Sequence, residues 1–123
     1  SLQPRGIDVK LELNIEPLRT SMDVAVPLGL IATELLTNAM KYAFEDRTSG
    51  TLSVSLTLED GRPCFAVEDD GVGFVPSEQE DPETLGMQLI QSLASQLKAE
   101  LSLEGESGTR VVLRLPQSVV KQE

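Results

Sequence analysis

Apolar and polar residues alternate strictly at the start of the chain. Ile7, Val9, Leu11, Leu13 and Ile15 interleave with Asp8, Lys10, Glu12, Asn14 and Glu16. A period of two predicts a strand with one buried and one wet face. Residues 16–23 are a polar connection, after which the period becomes helical. Over 24–44, Leu28, Ile31, Ala32, Leu35, Leu36, Ala39 and Ala43 fall on one side of a single amphipathic helix. Pro27 suits its first turn, where a missing N–H costs nothing. Glu34, Asn38 and Lys41 stand at i, i+4 and i+7, within an arc of roughly 60° at the margin of the apolar face. Taken alone, this arc fits an ordinary core boundary as well as it fits a chemical site.

Period two returns at Leu52, Val54, Leu56 and Leu58. Asp60-Gly61 carries the signature of a hairpin turn, and a returning strand runs from about Pro63 to Asp69. Each strand of this antiparallel pair is expected to be wet on one side. Phe65, Val67 and Asp69 share parity, so Asp69 points to the buried face, where a carboxylate is costly unless something hydrogen-bonds it. The chain then breaks at Asp70-Gly71-Val72-Gly73-Phe74, where two glycines allow a ligand to approach the backbone. A lone Gly-x-Gly is usually a structural turn; the acid at the end of an apolar strand makes this one more specific. Residues 75–84 carry two prolines and four acids and read as a mobile loop. A second amphipathic helix follows Leu85-Gly86 to about Lys98, with Leu89, Ile90, Leu93, Ala94 and Leu97 as its stripe. Its N-terminus offers backbone amides and a positive dipole. Leu101 and Leu103 begin a short strand, 104–108 turn it, and Thr109, Val111, Leu113 and Leu115 face the core in the last one. Pro116 ends that strand, and residues 117–123 are expected to fray.

The order β, α, β, β, α, β, β predicts an α/β fold. It is a two-layer sandwich, with a mixed, mainly antiparallel sheet of about five strands packed on helices on one face. With 123 residues, the chain suffices for one domain, 1–123, with one core. The Gly-x-Gly follows no parallel βαβ unit, which disfavours a Rossmann reading, and there is no Gly-Lys-Ser/Thr phosphate loop.

Composition narrows the chemistry. The chain contains no histidine, which removes Ser-His-Asp and Cys-His mechanisms and His-based zinc sites. Its one cysteine, Cys64, lies in a strand and reads as a buried structural thiol, compatible with a reducing cytoplasmic setting. The formal charge of −10 and an aromatic content of 3% argue against a nucleic-acid partner. No run is long enough to span a membrane, so no direct membrane contact is expected. A nucleotide could bind only where local geometry and a divalent cation defeat the global field.

The motifs together resemble a known family. Glu34-Leu-Leu-Thr-Asn38-Ala-Met-Lys41-Tyr42 resembles the N box of the ATPase superfamily that contains gyrase, the MutL repair protein and the sensor histidine kinases. Asp69-Asp70-Gly71-Val72-Gly73 resembles its Asp-x-Gly-x-Gly box, Leu85-Gly86-Met87-Gln88-Leu89 its second glycine box, and Gly108-Thr109 the threonine of its final strand. The four come in the family's order and cover essentially the whole chain. The flanks of the N box and the short loop at 74–84 look most like the ATP-binding domains of one bacterial sensor-kinase subgroup, which includes light-regulated members.

The resemblance implies ATP and Mg²⁺ as ligands and a role for each matching residue. Asp69 would accept a hydrogen bond from the adenine amino group, with Thr109 supporting adenine through water. Asn38 would ligate Mg²⁺, which typically takes few protein ligands. Lys41 would neutralise phosphate charge and Tyr42 would line the nucleotide. Gly71 and Gly73 would admit it close to the backbone, and Gly86 with the amides from Met87 onward would cap phosphates. Glu34 would orient water in hydrolytic members, or help activate a phosphoacceptor histidine in a kinase. Two departures stand out. The second glycine box holds one glycine where many relatives hold two or three. The loop at 74–84 has no Lys or Arg, so a cation on the γ-phosphate must come from Lys41, Arg110, Arg47 or another domain.

The function so implied is the cytoplasmic catalytic domain of a sensor histidine kinase, soluble or membrane-tethered, in two-component signal transduction. It would donate the γ-phosphate of Mg-ATP to a histidine on a separate dimerisation domain, which in turn serves a response regulator. Lacking histidine, the chain cannot phosphorylate itself on that residue. The alternatives are an anti-sigma-factor serine kinase of the same fold and a degenerate, non-enzymatic interaction module.

Overall fold

The computed structural model describes residues 8–43, 48–71, 86–104 and 108–121. Five strands form one sheet in the order β1-β2-β3-β5-β4: β1 (Asp8–Ile15), β2 (Ser49–Glu59), β3 (Arg62–Asp69), β4 (Glu100–Glu104) and β5 (Thr109–Arg114). β1 pairs parallel to β2, and all other pairs are antiparallel. Among the described residues two α-helices, α1 (Met22–Asn38) and α2 (Met87–Gln96), cover one face. Architecture and element order are those the periodicity predicts. Between the layers, Ile31 and Leu35 of α1 and Ile90 and Ala94 of α2 pack on Phe65, Val67, Val111 and Leu113. The hairpin between β2 and β3 turns through Asp60 (φ 54°) and Gly61 (φ 78°), the two positive values that an Asp-Gly turn of this kind requires.

Several expectations are corrected by the packing. Alternation in β1 does not bury a face: Leu11, Leu13 and Ile15 are 56%, 63% and 53% exposed. β1 is an edge strand, and α1 stops short of covering it. Between them runs an apolar groove of about 230 Å³, lined by Val9, Leu11 and Leu13 of β1, Leu36 and Met40 of the helix region, and Leu52 and Val54 of β2. Conversely, β3 is buried on both faces over 63–67. Behind Phe65 and Val67, the small side chains of Cys64, Ala66 and Val112 form a second cluster. Cys64 and Ala66 stand in register with Arg114 and Val112, and Arg62 reaches across to Glu100 at 2.8 Å. Long side chains on neighbouring strands thus shelter short ones from water. Burial and the nearby Glu59 push the Cys64 thiol up from its ordinary value, as befits an inert structural residue.

α1 begins earlier than expected, capped by the Ser21 carbonyl, which accepts from the Val24 and Ala25 amides at 3.1 and 2.9 Å. Pro27 therefore lies inside the helix, not in its first turn, and is buried. After Asn38 the coil widens into a π-helical turn, Ala39–Ala43. α2 also ends two residues before the expected Lys98, which itself adopts φ 56°. The Ala99 amide returns to the Ala94 carbonyl at 2.9 Å and the Lys98 amide to that of Ser95 at 3.0 Å, a Schellman ending with lysine where glycine is usual. Leu89, expected in the α2 stripe, is exposed. Residues 117–121, expected to fray, are instead held. Gln117–Val119 form a 3₁₀ turn, the Thr20 hydroxyl donates to the Val119 carbonyl at 2.6 Å, and the Lys121 amide donates to that of Arg19 at 2.8 Å. The mobile loop anticipated at 75–84 lies outside the described residues.

Candidate functional site

The site is built around the last residue of β3. The register places Asp69 between Leu52 of β2 and Thr109 of β5. This row belongs to the helix-covered face, as the shared parity with Phe65 and Val67 requires. Asp69 is 6% exposed and Thr109 8%. A carboxylate so placed must be satisfied by the backbone. The Gly71 amide donates to Asp69 Oδ1 at 3.0 Å, and the Thr109 backbone adds a second hydrogen bond. Burial nevertheless raises its pKa above the ordinary 3.8; the amides of Gly71 and Thr109 oppose that rise, and the nearby Asp70 and Glu68 add to it. The result is an acceptor largely withdrawn from solvent and held by two backbone donors.

α1 brings two more polar groups to the same side of the sheet. Glu34 and Asn38 are 6% and 4% exposed, one helical turn apart. Leu36 and Met40, which flank Asn38 in the chain, share their groove with Leu52, the register neighbour of Asp69. The C-terminal end of α1 thus stands over the row that contains Asp69. Lys41 falls in the π-helical turn that follows Asn38 and is exposed, whereas Glu34 and Asn38 are buried. Tyr42 belongs to the same turn; its side chain lies outside the described residues, as do Gly73, Leu85 and Arg47. Gly86 immediately precedes α2 in extended conformation (φ −78°, ψ 167°) and contributes no side-chain cap to the first-turn amides that begin at Met87. Arg110, a candidate source of positive charge, has the parity opposite to Thr109. It lies on the far face of the sheet and pairs with Glu104 at 3.7 Å, so it is not positioned with Asp69.

Two residues that lie inside the quoted motifs, but to which the resemblance assigns no role, also take part. Gly108 has φ +117°, and a Cβ built there would stand 2.2 Å from the Asp69 carbonyl oxygen and 3.4 Å from its Oδ1. Only a glycine lets β5 begin this close to the carboxylate. In sequence it looks like any turn glycine, and the one signal is its place directly before Thr109. The other is Asp70, whose side chain reaches back to β2: the Thr51 amide donates to Asp70 Oδ1 at 2.8 Å.

Among the described residues, no three His, Cys, Asp or Glu side chains gather to hold a metal. The buried carboxamide of Asn38 is nonetheless a hard oxygen donor of the type that Mg²⁺ accepts when phosphates and water complete its shell. No helix among the described residues is long and apolar enough to cross a membrane.

Comparison with known proteins shows the family and the fold. Residues 23–119 match the family model described as histidine kinase-, DNA gyrase B- and HSP90-like ATPase. Blue-light-activated histidine kinase 2 of Erythrobacter litoralis is 32% identical over 117 residues, covering 92% of this chain and 34% of that protein. The anti-sigma F factor of Bacillus subtilis is 29% identical over 65 residues, 53% of this chain and 44% of that one. Among solved structures, the histidine kinase domain of a blue-light-activated histidine kinase from Erythrobacter litoralis superposes with a TM-score of 0.78 at 32% identity, over 89% of this chain and 52% of that one. The chain spans about a third of the length of the curated histidine kinase it matches. Because that family model spans residues 23–119, well over half of the chain, this chain belongs to the histidine kinase-, DNA gyrase B- and HSP90-like ATPases.

Proposed function

We propose that residues 1–123 form one nucleotide-binding domain, the catalytic part of a sensor histidine kinase, which binds Mg-ATP and donates the γ-phosphate to a histidine on a separate helical dimerisation domain. The observation that carries this reading is the Asp69 carboxylate, buried opposite Thr109 and fixed by the Gly71 amide. A pre-positioned acceptor suits the exocyclic amino group of adenine, and being satisfied in advance it needs no reorganisation on binding. Thr109 supports the ring through water. Asn38 holds Mg²⁺, which neutralises phosphate charge. Lys41 supplies positive charge to the phosphates, and Tyr42 lines the nucleotide. Gly71 and Gly73 admit it, and the amides after Gly86, beginning at Met87, face its phosphates at the positive end of α2. Glu34, buried one turn before Asn38, is the group to take a proton from the incoming histidine.

The chain itself has no histidine, so the acceptor comes from outside it, and a response regulator receives the phosphoryl group from that acceptor. The setting is cytoplasmic. The match to an anti-sigma F factor favours a second reading, serine phosphorylation of a protein antagonist. It covers barely half of this chain, against 92% for the histidine kinase.

Calorimetric titration tests binding. The unmutated chain takes up one equivalent of ATP in Mg²⁺. Asn38→Ala weakens Mg-ATP about tenfold, the worth of one good polar contact, and leaves ATP in excess chelator unchanged. No heat from the unmutated chain overturns the nucleotide reading in favour of a non-enzymatic module. With radiolabelled ATP, label appears on a histidine-bearing helical hairpin added in trans. Label on a serine of an added antagonist protein instead selects the second reading.

A further inference from the structure

Beyond the β3 end, the chain should leave the sheet, yet one more residue stays attached. Asp70 and Thr51 would be the next register pair after Asp69 and Leu52. The Asp70 amide donates to the Thr51 carbonyl at 3.2 Å, as a ladder bond does. The reciprocal bond is made by a side chain, because the Thr51 amide donates to Asp70 Oδ1 at 2.8 Å. The carboxylate stands where a strand carbonyl would, so the sheet gains a rung without the backbone having to continue as a strand. The very next amide, Gly71, is the one that donates to Asp69 Oδ1 at 3.0 Å. Asp70 is thus tied to β2 on one side and carries the donor that fixes Asp69 on the other.

We infer that Asp70 is a positioning residue for adenine recognition: its carboxylate, bonded to the Thr51 amide, holds Gly71 where it orients the Asp69 carboxylate. Asp70 is exposed and belongs to neither core cluster, which separates this role from packing. The inference rests on the reading of Asp69 as the acceptor of the adenine amino group.

The test compares ATP with purine riboside triphosphate, which lacks that amino group, on the unmutated chain, Asp70→Ala and Asp70→Asn. The unmutated chain prefers ATP. Asp70→Ala reduces that preference about tenfold, as expected when one hydrogen bond loses its geometry, while affinity for the analogue stays the same. Asp70→Asn keeps an acceptor oxygen and restores the preference. In the ligand-free protein, amide exchange of Thr51 and Gly71 quickens in Asp70→Ala and not in Asp70→Asn; this readout needs no nucleotide. Full preference in Asp70→Ala, equal losses for both ligands, unchanged exchange, or failure of Asp70→Asn to rescue would each overturn the inference. An unmutated chain that does not distinguish the two ligands sinks the assignment of Asp69 instead.

Discussion

Asp69→Asn leaves the chain folded and weakens ATP binding by roughly ten- to hundredfold, the range of a hydrogen bond to a charged group. The replacement keeps an oxygen for the Gly71 amide, which donates at 3.0 Å in the unmutated chain. It also turns an amide nitrogen, a donor, toward the donor edge of adenine. The same substitution reveals the carboxylate's effect on stability. Burial holds the Asp69 pKa above the ordinary 3.8. The folded state therefore binds more protons than the unfolded one between those two values, and stability falls as pH rises through that window. The favourable contribution is complete below the ordinary value and absent above the folded one. Asparagine does not titrate, so the melting temperature of Asp69→Asn minus that of the unmutated chain increases with pH across the window and is level above it. Thermal melts of both proteins from about pH 3 to 7 check this sign. A difference that shrinks with rising pH contradicts it.

Gly108→Ala has the larger effect on stability. At φ +117° the backbone conformation is open essentially to glycine alone, and the added Cβ would stand 2.2 Å from the Asp69 carbonyl oxygen. That oxygen belongs to the backbone of a central strand and cannot rotate away like a side chain. The ends of β3 and β5 must part, and with them the Asp69–Thr109 pair. A loss of about 3 kcal/mol or more is expected from strain and clash together, read as a fall in the denaturant midpoint at constant slope. ATP binding fails with it. Gly29→Ala is the control: a Cβ there meets nothing within 4 Å, on the exposed side of α1. It stabilises by about 0.5–1 kcal/mol through helix propensity. Equal behaviour of the two variants would show that the close approach at Gly108 is not what demands glycine there.

The positions of these residues differ in how far the sequence betrays them. Parity alone puts Asp69 on the buried face, because Phe65 and Val67 fix which side of β3 faces the helices. Spacing likewise puts Glu34 and Asn38 together. Period two at β1 identifies the residues that share a face, but not whether a helix reaches far enough to cover it. Leu11 and Leu13 consequently stay exposed beside α1. The one wide turn after Asn38 is invisible in a pattern of apolar residues, which assumes a constant pitch. Pro27 offers a cue for a helix start, yet the Ser21 carbonyl collects two amides one turn and a half earlier. Gly108 and Asp70 act through contacts between strands distant in the chain, which no local pattern encodes.

The stitching of residues 119 and 121 to Arg19 and Thr20 joins the segment after β5 to the entrance of α1. From Met22 to Asn38 this rod extends roughly 24 Å at the usual rise per residue. A load applied at residues 119–121 is therefore delivered to one tip of a stiff lever whose opposite tip holds Glu34 and Asn38.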